Sequence, residues 1–373
     1  MFKKSITIFK ISGIPIKLHI SFLLILPFLA WAFGNNLRML TQLTGVPYGE
    51  LTYNPYSLGF LLAVFLFISV AMHELAHSFV ARSQGIEIND ITLMLFGGLA
   101  QMEEISEEPK NEAWMAFSGP LFSLVLGFIL VNLASILSDQ LIPDFYLLII
   151  YLGQLNIFLG FFNLLPAFPS DGGRILRAFI ARKRSFLEAT RIAASVGKAF
   201  AFLFGIIGLV SGNFILLFIA LFIFIGASQE YQTNLLKDTL SDFKVKDLMT
   251  ERVSTINQNL NIEALLDKMF EERHSGYPVV DENGNLKGCV TMEDVQPVST
   301  KKYSTTRIKD IMSTDIKKVS PEDSLFEALK KISKADIGRL MVMEEDKLIG
   351  IITRSDIMKG YRLKQMQKKE DRD

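Results

Sequence analysis

Residues 58–80 read LGFLLAVFLFISVAMHELAHSFV, an apolar run long enough to cross a bilayer as one helix. Its last third contains the pattern H-E-x-x-H, formed by His73, Glu74 and His77. Positions i and i+4 of a helix return to nearly the same face, so both imidazoles can bind one metal ion, usually zinc. Glu74 lies beside them, where a carboxylate can take a proton from metal-bound water.

The membrane setting of this pattern favours a functional interpretation. A three-residue pattern can arise by chance, but two of the four histidines of the chain lie here. Ionisable side chains are costly in hydrocarbon, and those that occur there usually have a function. The run therefore predicts a metal site within the membrane, with His73 and His77 among its ligands.

The composition divides the 373 residues into two parts. The chain is 50% hydrophobic with a mean hydropathy of +0.31, and its apolar residues lie mostly before Gly226. A formal net charge of zero gives no general attraction to nucleic acid, and the single cysteine, Cys289, excludes an internal disulfide framework. We predict an α-helical polytopic membrane domain followed by a cytosolic α/β domain.

Six apolar segments are candidates for transmembrane helices, which need about 20 residues each. The last two are short and are separated by a polar break at Ser211–Asn213, so one long kinked helix, leaving five crossings, is the alternative. The candidates are residues 18–33, 58–80, 113–137, 145–165, 196–210 and 214–227.

The distribution of positive charge predicts the orientation of these helices. Lysines precede the first segment and arginines follow the fourth, whereas the opposite loops offer little beyond Arg38. Because Lys and Arg concentrate on the cytoplasmic side, both termini are predicted to be cytoplasmic. The metal site then lies in the cytoplasmic part of the membrane.

A third metal ligand is expected after the fourth segment, where residues 163–173 read NLLPAFPSDGG. The prolines end the helix and the two glycines loosen the chain, which would turn the carboxylate of Asp171 toward a neighbouring helix. A turn or helix-cap role for Asp171 is equally compatible with its position. Asn163 could orient a substrate carbonyl or stabilise an oxyanion, or form an interhelical hydrogen bond instead.

These two motifs together resemble those of the site-2 protease family of intramembrane zinc metalloproteases. The resemblance rests on His73-Glu74-x-x-His77 within a span and on Asn163-x-x-Pro166-x-x-x-x-Asp171-Gly172 at the end of a later one. It implies that His73, His77 and Asp171 bind one zinc ion and that Glu74 is the general acid/base. It also implies that transmembrane segments of membrane proteins are the substrates.

A short apolar stretch, LFGGLAQM at residues 95–102, is too short to cross the membrane. It can form a re-entrant strand or hairpin that pairs with an unwound substrate, or a plain interfacial loop.

The chain after Glu230 is polar and contains an internal repeat. Residues 245–249 (VKDLM) recur as 308–312 (IKDIM), and 288–294 (GCVTMED) recur as 350–356 (GIITRSD). Each copy has a helical stretch, 262–272 or 325–333, followed by a short strand, 277–280 or 339–342.

The order of elements and the closing G-x-x-T-x-x-D resemble a tandem pair of cystathionine-β-synthase (CBS) domains. The resemblance implies regulation, adenine nucleotide binding and a homodimer through these domains; helix capping is the alternative role of the residues concerned. The matching nucleotide-binding residues are Thr291, Asp294, Thr353 and Asp356. The predicted domains are 1–235 for the membrane protease, 243–300 and 301–362 for the CBS repeats, and 363–373 for a disordered tail.

A CBS-regulated ion transporter or channel is the alternative function, because histidines and an aspartate in a membrane can also bind a transported ion. Glu74 discriminates between the two, because transport does not require a carboxylate beside the ligand pair.

Overall fold

A computed structural model describes residues 5–94, 97–102 and 108–370, which form two units, Met1–Gln232 and Thr233–Asp373. The first unit contains a small sheet and most of the helices. Its elements are β1 (Ser5–Ile11), β2 (Ile14–His19), α1 (Phe22–Asn35), α2 (Leu37–Thr44), α3 (Pro55–Ser83), β3 (Ile88–Met94), β4 (Gly97–Met102), α4 (Pro109–Ile136), α5 (Pro143–Asn163), α6 (Asp171–Ala181), α7 (Phe186–Ser211) and α8 (Phe214–Ser241).

Five helices of the described chain, α3, α4, α5, α7 and α8, are long and apolar enough to cross a membrane. The first segment of the sequence prediction is shorter than expected, because its leading residues belong to β2 and the apolar helix covers only Leu24–Asn35. The single kinked helix considered for residues 196–227 is wrong. Gly212 ends α7 at a φ of +65°, and the side chain of Asn213 accepts from the Leu216 N–H to begin α8.

Helix α4 is the centre of the membrane unit, where it packs against α3, α5 and α6. Small residues allow the closest approach. A Cβ on Gly127 of α4 would lie 2.7 Å from the carbonyl oxygen of Gly153 in α5. Such contacts between small residues are how helices associate in lipid, where burial of apolar surface gives little driving force.

The sheet of the membrane unit has the order β1-β2-β3-β4, with β2 and β3 parallel and the other pairs antiparallel. Ile16 of β2 and Ile91 of β3 are buried against Leu75 of α3. The strand expected near residues 95–102 is confirmed as β4, at the edge of the described sheet, so a plain loop is wrong for residues 97–102; Leu95 and Phe96 lie outside the described residues. β1, β2 and β3 were not predicted from the sequence.

The second unit contains the two predicted repeats. The first is built from β5 (Ile256–Asn257), α9 (Ile262–Glu272), β6 (Gly276–Val280), β7 (Leu286–Thr291) and α10 (Met292–Val295). The second contains β8 (Lys318–Val319), α11 (Leu325–Ala335), β9 (Arg339–Glu344), β10 (Lys347–Thr353) and α12 (Arg354–Glu370). The predicted helices and strands are therefore confirmed. Residues 363–370 continue α12, so the predicted disordered tail is wrong there, and residues 371–373 lie outside the described chain.

Each repeat contributes its opening segment to the other repeat. Thr250 pairs with Ile351 of β10, and Ser313 pairs with Cys289 of β7. In each exchange a methionine of the opening segment packs against a glycine of the other repeat. A Cβ on Gly350 would lie 2.7 Å from the sulfur of Met249, so only glycine leaves room for this side chain. A Cβ on Gly288 would lie 2.7 Å from the sulfur of Met312. The glycine and methionine of the repeated motifs are thus matched across the pair.

Candidate metal centre

The two histidines of the H-E-x-x-H pattern lie one helical turn apart on α3 and are buried. Their Nε2 atoms are 3.2 Å apart, and each lies 3.2 Å from Oδ2 of Asp171. The three residues predicted to bind metal are therefore brought together, at one point, from α3 and α6.

The spacing of these three atoms fits a zinc ion. Zinc bonds to nitrogen and carboxylate oxygen are about 2.0–2.1 Å, so two ligands of a tetrahedral site lie about 3.3 Å apart. The observed separations are all 3.2 Å. Two imidazoles and one carboxylate leave a fourth position for water or substrate, as in catalytic zinc sites.

Helix α4 holds the outer nitrogens of both imidazoles. His77 Nδ1 donates to the backbone carbonyl of Met115 at 2.6 Å, so in the neutral imidazole Nε2 is the unprotonated nitrogen, and it is directed at the ligand cluster. His73 Nδ1 lies 2.9 Å from the hydroxyl of the fully buried Ser123. Such partners fix the tautomer and the ring orientation of metal-binding histidines. Ser123 was not identified from the sequence, although a hydroxyl within an apolar helix is a usable signal.

Gly119 is a second residue that the sequence analysis missed. A Cβ at this position would lie 2.3 Å from His77 Nε2 and 2.6 Å from His73 Nε2. Any side chain on this turn of α4 would therefore occupy the space between the imidazoles. Its backbone conformation is helical, so the requirement for glycine comes from space rather than from φ.

Asp171 is the first residue of α6, and the two glycines after it do not loosen the chain as expected. They lie within the helix and permit close packing, since a Cβ on Gly172 would lie 2.2 Å from the Leu165 carbonyl oxygen. A Cβ on Gly173 would lie 2.5 Å from the Phe168 nitrogen. The turn after α5 is therefore tight, and this tightness directs Asp171 toward α3.

The structure places Glu74 and Asn163 in different surroundings. Glu74 is half-buried, and its carboxylate has no hydrogen-bond partner among the described residues. Asn163 ends α5, and its amide donates to Leu159 of the same helix at 3.0 Å, rather than across helices. The interhelical amide is instead the fully buried Asn156, which donates to the Ser69 hydroxyl at 3.1 Å.

The second unit places each threonine of the repeated T-x-x-D motif against its aspartate. Thr291 and Thr353 donate their hydroxyls to Asp294 and Asp356 at 2.8 and 2.6 Å. Partial burial would raise the pKa of Asp356, but the hydrogen bonds from Thr353 and Lys359 outweigh it and lower the pKa. Asp356 is therefore charged at neutral pH and is also paired with Lys359 at 2.9 Å.

Comparison with known proteins identifies the family. The profile of Peptidase family M50 matches residues 61–144 and 141–204, and that of the CBS domain matches 245–297 and 308–362. The chain is 37% identical to the zinc metalloprotease MJ0392 of Methanocaldococcus jannaschii over 97% of this chain and 98% of the relative. The chain belongs to peptidase family M50, the site-2 protease family. By family it is a zinc metalloprotease, an integral membrane protein with a C-terminal pair of CBS domains.

Further similarity is found to the Rip3 protein of Mycobacterium tuberculosis, 32% identical over 97% of this chain and 95% of the relative. The solved structure of a site-2 protease from Methanocaldococcus jannaschii is 38% identical, with a TM-score of 0.43, and covers 61% of this chain and 95% of that one.

Substitution of Gly119 tests the geometry of the centre. We expect Gly119→Ala to weaken zinc binding by about 100-fold or more, because the added Cβ lies within 2.6 Å of both Nε2 atoms. Zinc content of the purified protein is the measurement, with circular dichroism as the check on helix content. Gly205→Ala in α7, where the nearest atom is 3.9 Å away, is the matched control. Full zinc content in folded Gly119→Ala would contradict the site.

Proposed function

We propose that the protein is an intramembrane zinc endopeptidase that cleaves transmembrane segments of membrane proteins. The observation that carries this proposal is the triangle of His73, His77 and Asp171 ligand atoms, 3.2 Å apart, in which both histidines belong to a helix of membrane-crossing length. A hydrolytic centre at that position favours a peptide bond inside the bilayer as its target.

Three residues are proposed as the zinc ligands, His73 and His77 from α3 and Asp171 from α6. Zinc bound there would lower the pKa of a water and polarise a carbonyl group. Glu74, the residue after His73, is proposed as the general base. Its carboxylate accepts a proton from the attacking water. It then returns that proton to the leaving amine.

Asn163 is proposed to orient the substrate carbonyl. One N–H of its amide is used by the Leu159 carbonyl, which leaves the second N–H to donate to a developing negative charge. Its position at the end of α5, eight residues before Asp171, supports this role.

The edge of the sheet is proposed to hold the unwound substrate. A helical segment uses its carbonyls in its own hydrogen bonds, so it must unwind before cleavage. β4 pairs with β3 on one side and is the last strand of the described sheet, and both strands pack beside α3, the helix of the two histidines. An added substrate strand would gain backbone hydrogen bonds there.

The orientation proposed places both termini in the cytoplasm and the metal centre in the cytoplasmic part of the membrane. The arginines that follow α5, from Arg174 to Arg191, support it through the preference of cationic loops for that side.

The CBS pair is proposed to regulate the protease, to bind an adenine nucleotide and to form a homodimer. Each Thr–Asp pair caps the following helix in the structure, so capping and nucleotide binding share the same groups. The two sites differ in charge. Of these two aspartates, Asp356 forms an ion pair with Lys359, whereas Asp294 forms none with a described lysine and uses only Oδ2 in its contacts with Thr291. Its Oδ1 can therefore accept from a ribose hydroxyl.

Substitution of Glu74 separates proteolysis from transport. We expect Glu74→Gln to retain zinc, because this carboxylate is not a ligand, and to cleave a single-span substrate about 10²- to 10⁴-fold more slowly. Cleavage by purified protein with and without a chelator is the measurement, and the exposed Glu87→Gln is the control. Undiminished biological activity of Glu74→Gln would favour the transporter.

Proline substitutions test the role of β4. Proline cannot donate to a strand, so at positions whose N–H faces the free edge we expect folded, zinc-loaded protein with about tenfold slower cleavage. Each proline at residues 98, 99 and 101 is compared with alanine at the same position, which retains the N–H, and Ala100→Pro is compared with the unsubstituted protein. Unchanged cleavage throughout this series would exclude strand addition.

Nucleotide binding is tested by thermal unfolding of the purified protein with and without ATP. We expect ATP to raise the Tm, and Asp294→Asn and Asp356→Asn each to reduce that rise. Asp315→Asn is the control, at an exposed position whose ion pair, within the described part of the chain, is with Lys317. If ATP leaves the Tm of the unsubstituted protein unchanged while both variants unfold earlier, the aspartates serve only as helix caps.

A further inference from the structure

Arg177 of α6 is a buried cation outside the metal centre. It lies six residues after Asp171 and is 1% exposed. Its Nε donates to Oε1 of Glu112 in α4 at 2.8 Å, and one terminal nitrogen donates to the same oxygen. The other terminal nitrogen donates to Glu230 of α8 at 2.8 Å. One guanidinium therefore joins three helices; we call these three residues the arginine cluster.

Two aromatic rings pack on the guanidinium of the cluster. The carbon of the guanidinium lies 5.0 Å from the ring centre of Phe168 and 4.5 Å from that of Phe186. Phe168 belongs to the tight turn that precedes Asp171, and its own side chain is fully buried. Cation–π contacts of this kind strengthen when they are removed from water. The turn that directs Asp171 is thus held by the same cation as the helix that follows it.

Separating the charged side chains of the arginine cluster from one another is energetically costly. A buried guanidinium that loses a partner is strongly unfavourable, and the fixed fork of an arginine cannot be replaced by the single nitrogen of a lysine. Glu112 is 1% exposed, and its second oxygen is buried with no hydrogen-bond partner among the described residues. The polar contact between α4 and α6 at Glu112 therefore depends on Arg177.

The position of the cluster connects it to Asp171 through α6 and to His77 through α4. On α4, Glu112 lies three residues before Met115, whose carbonyl accepts from His77. On α6, Arg177 lies on the helix that begins with Asp171. Fixing α6 against α4 therefore fixes the carboxylate ligand relative to the imidazoles.

We propose that the arginine cluster positions Asp171 against His73 and His77, so that Arg177 is a positioning residue for metal binding. Because Arg177 also donates to Glu230, the position of Asp171 depends on α8 as well. The second unit begins within this helix, at Thr233. A shift of α8 would change the hold on Arg177 and with it the affinity for metal. The proposal rests on the proposed ligand role of Asp171.

The test is the zinc affinity of the full-length purified protein, measured by competition with a chromophoric chelator. We expect Arg177→Lys to weaken zinc binding by about tenfold or more, the lower end of the effect of groups that support metal ligands. Glu230→Gln, at a partly exposed position, should weaken it less. Arg184→Lys, which alters an exposed pair with Glu188 just after α6, should leave it unchanged.

The visible spectrum of the cobalt-substituted protein separates positioning from general loss of stability. A changed ligand geometry shifts the bands of bound Co²⁺, whereas a lower Tm alone does not. If Arg177→Lys fails to fold, Glu230→Gln decides by the same two measurements. Folded variants with unchanged zinc affinity and cobalt spectrum would overturn the positioning role. Absence of zinc binding by the unsubstituted protein would instead overturn the proposed function.

Discussion

Two imidazoles on a helix of membrane-crossing length converge with a carboxylate from the short helix α6, and this convergence imposes the main constraint on the first unit. Polar groups on a helix of that kind require partners, because lipid supplies none. The outer nitrogens of His73 and His77 find theirs on α4, in the Ser123 hydroxyl and the Met115 carbonyl. Helix α4 must therefore pass directly over the imidazoles, and only a glycine at position 119 allows it to do so.

The third ligand depends on irregular backbone rather than on a regular helix. The turn between α5 and α6 is compact because Gly172 and Gly173 let α6 press against the end of α5. The hydroxyl of Ser170 donates to the carbonyls of Leu165 and Ala167, which also accept the backbone N–H groups of Ala167 and Ser170, respectively. Such backbone is tolerated at membrane depth only where protein covers it, and here the carbonyls of Leu165 and Ala167 find their partners within the turn itself.

The second unit is held together differently, by two hydrophobic cores and an exchange of segments between the two repeats. Each copy has its own buried apolar cluster, centred on Leu265 and Val290 in the first and on Leu325 and Leu340 in the second. The exchange of opening segments, with Met249 against Gly350 and Met312 against Gly288, makes each copy complete the other. The pair is therefore the structural unit, rather than the single repeat.

Much of this organisation was already determined by the sequence. Apolar runs predict membrane helices because each must satisfy its backbone internally, and the strict i, i+4 spacing of His73 and His77 places them on one face. The internal repeat likewise predicts one helix and one strand of each copy, α9 with β6 and α11 with β9, within a few residues. Asp171 could be suggested from its position after an interrupted helix, but a turn residue fitted equally well.

Only the tertiary structure decided the strand pairing, the requirement for Gly119 and the partners of Arg177, because these contacts join distant parts of the chain. The parallel pairing of β2 with β3 joins residues 16–18 to 91–93, and short polar–apolar strands carry no signal for such a partner. The need for glycine at 119 exists only once α4 lies on α3, since nothing in its own helix requires it. The meeting of Arg177 with Glu112 and Glu230 spans 65 and 53 residues, and charge in the sequence does not specify its partner. Local periodicity gives helices and the residues on one face; which faces meet depends on packing in three dimensions.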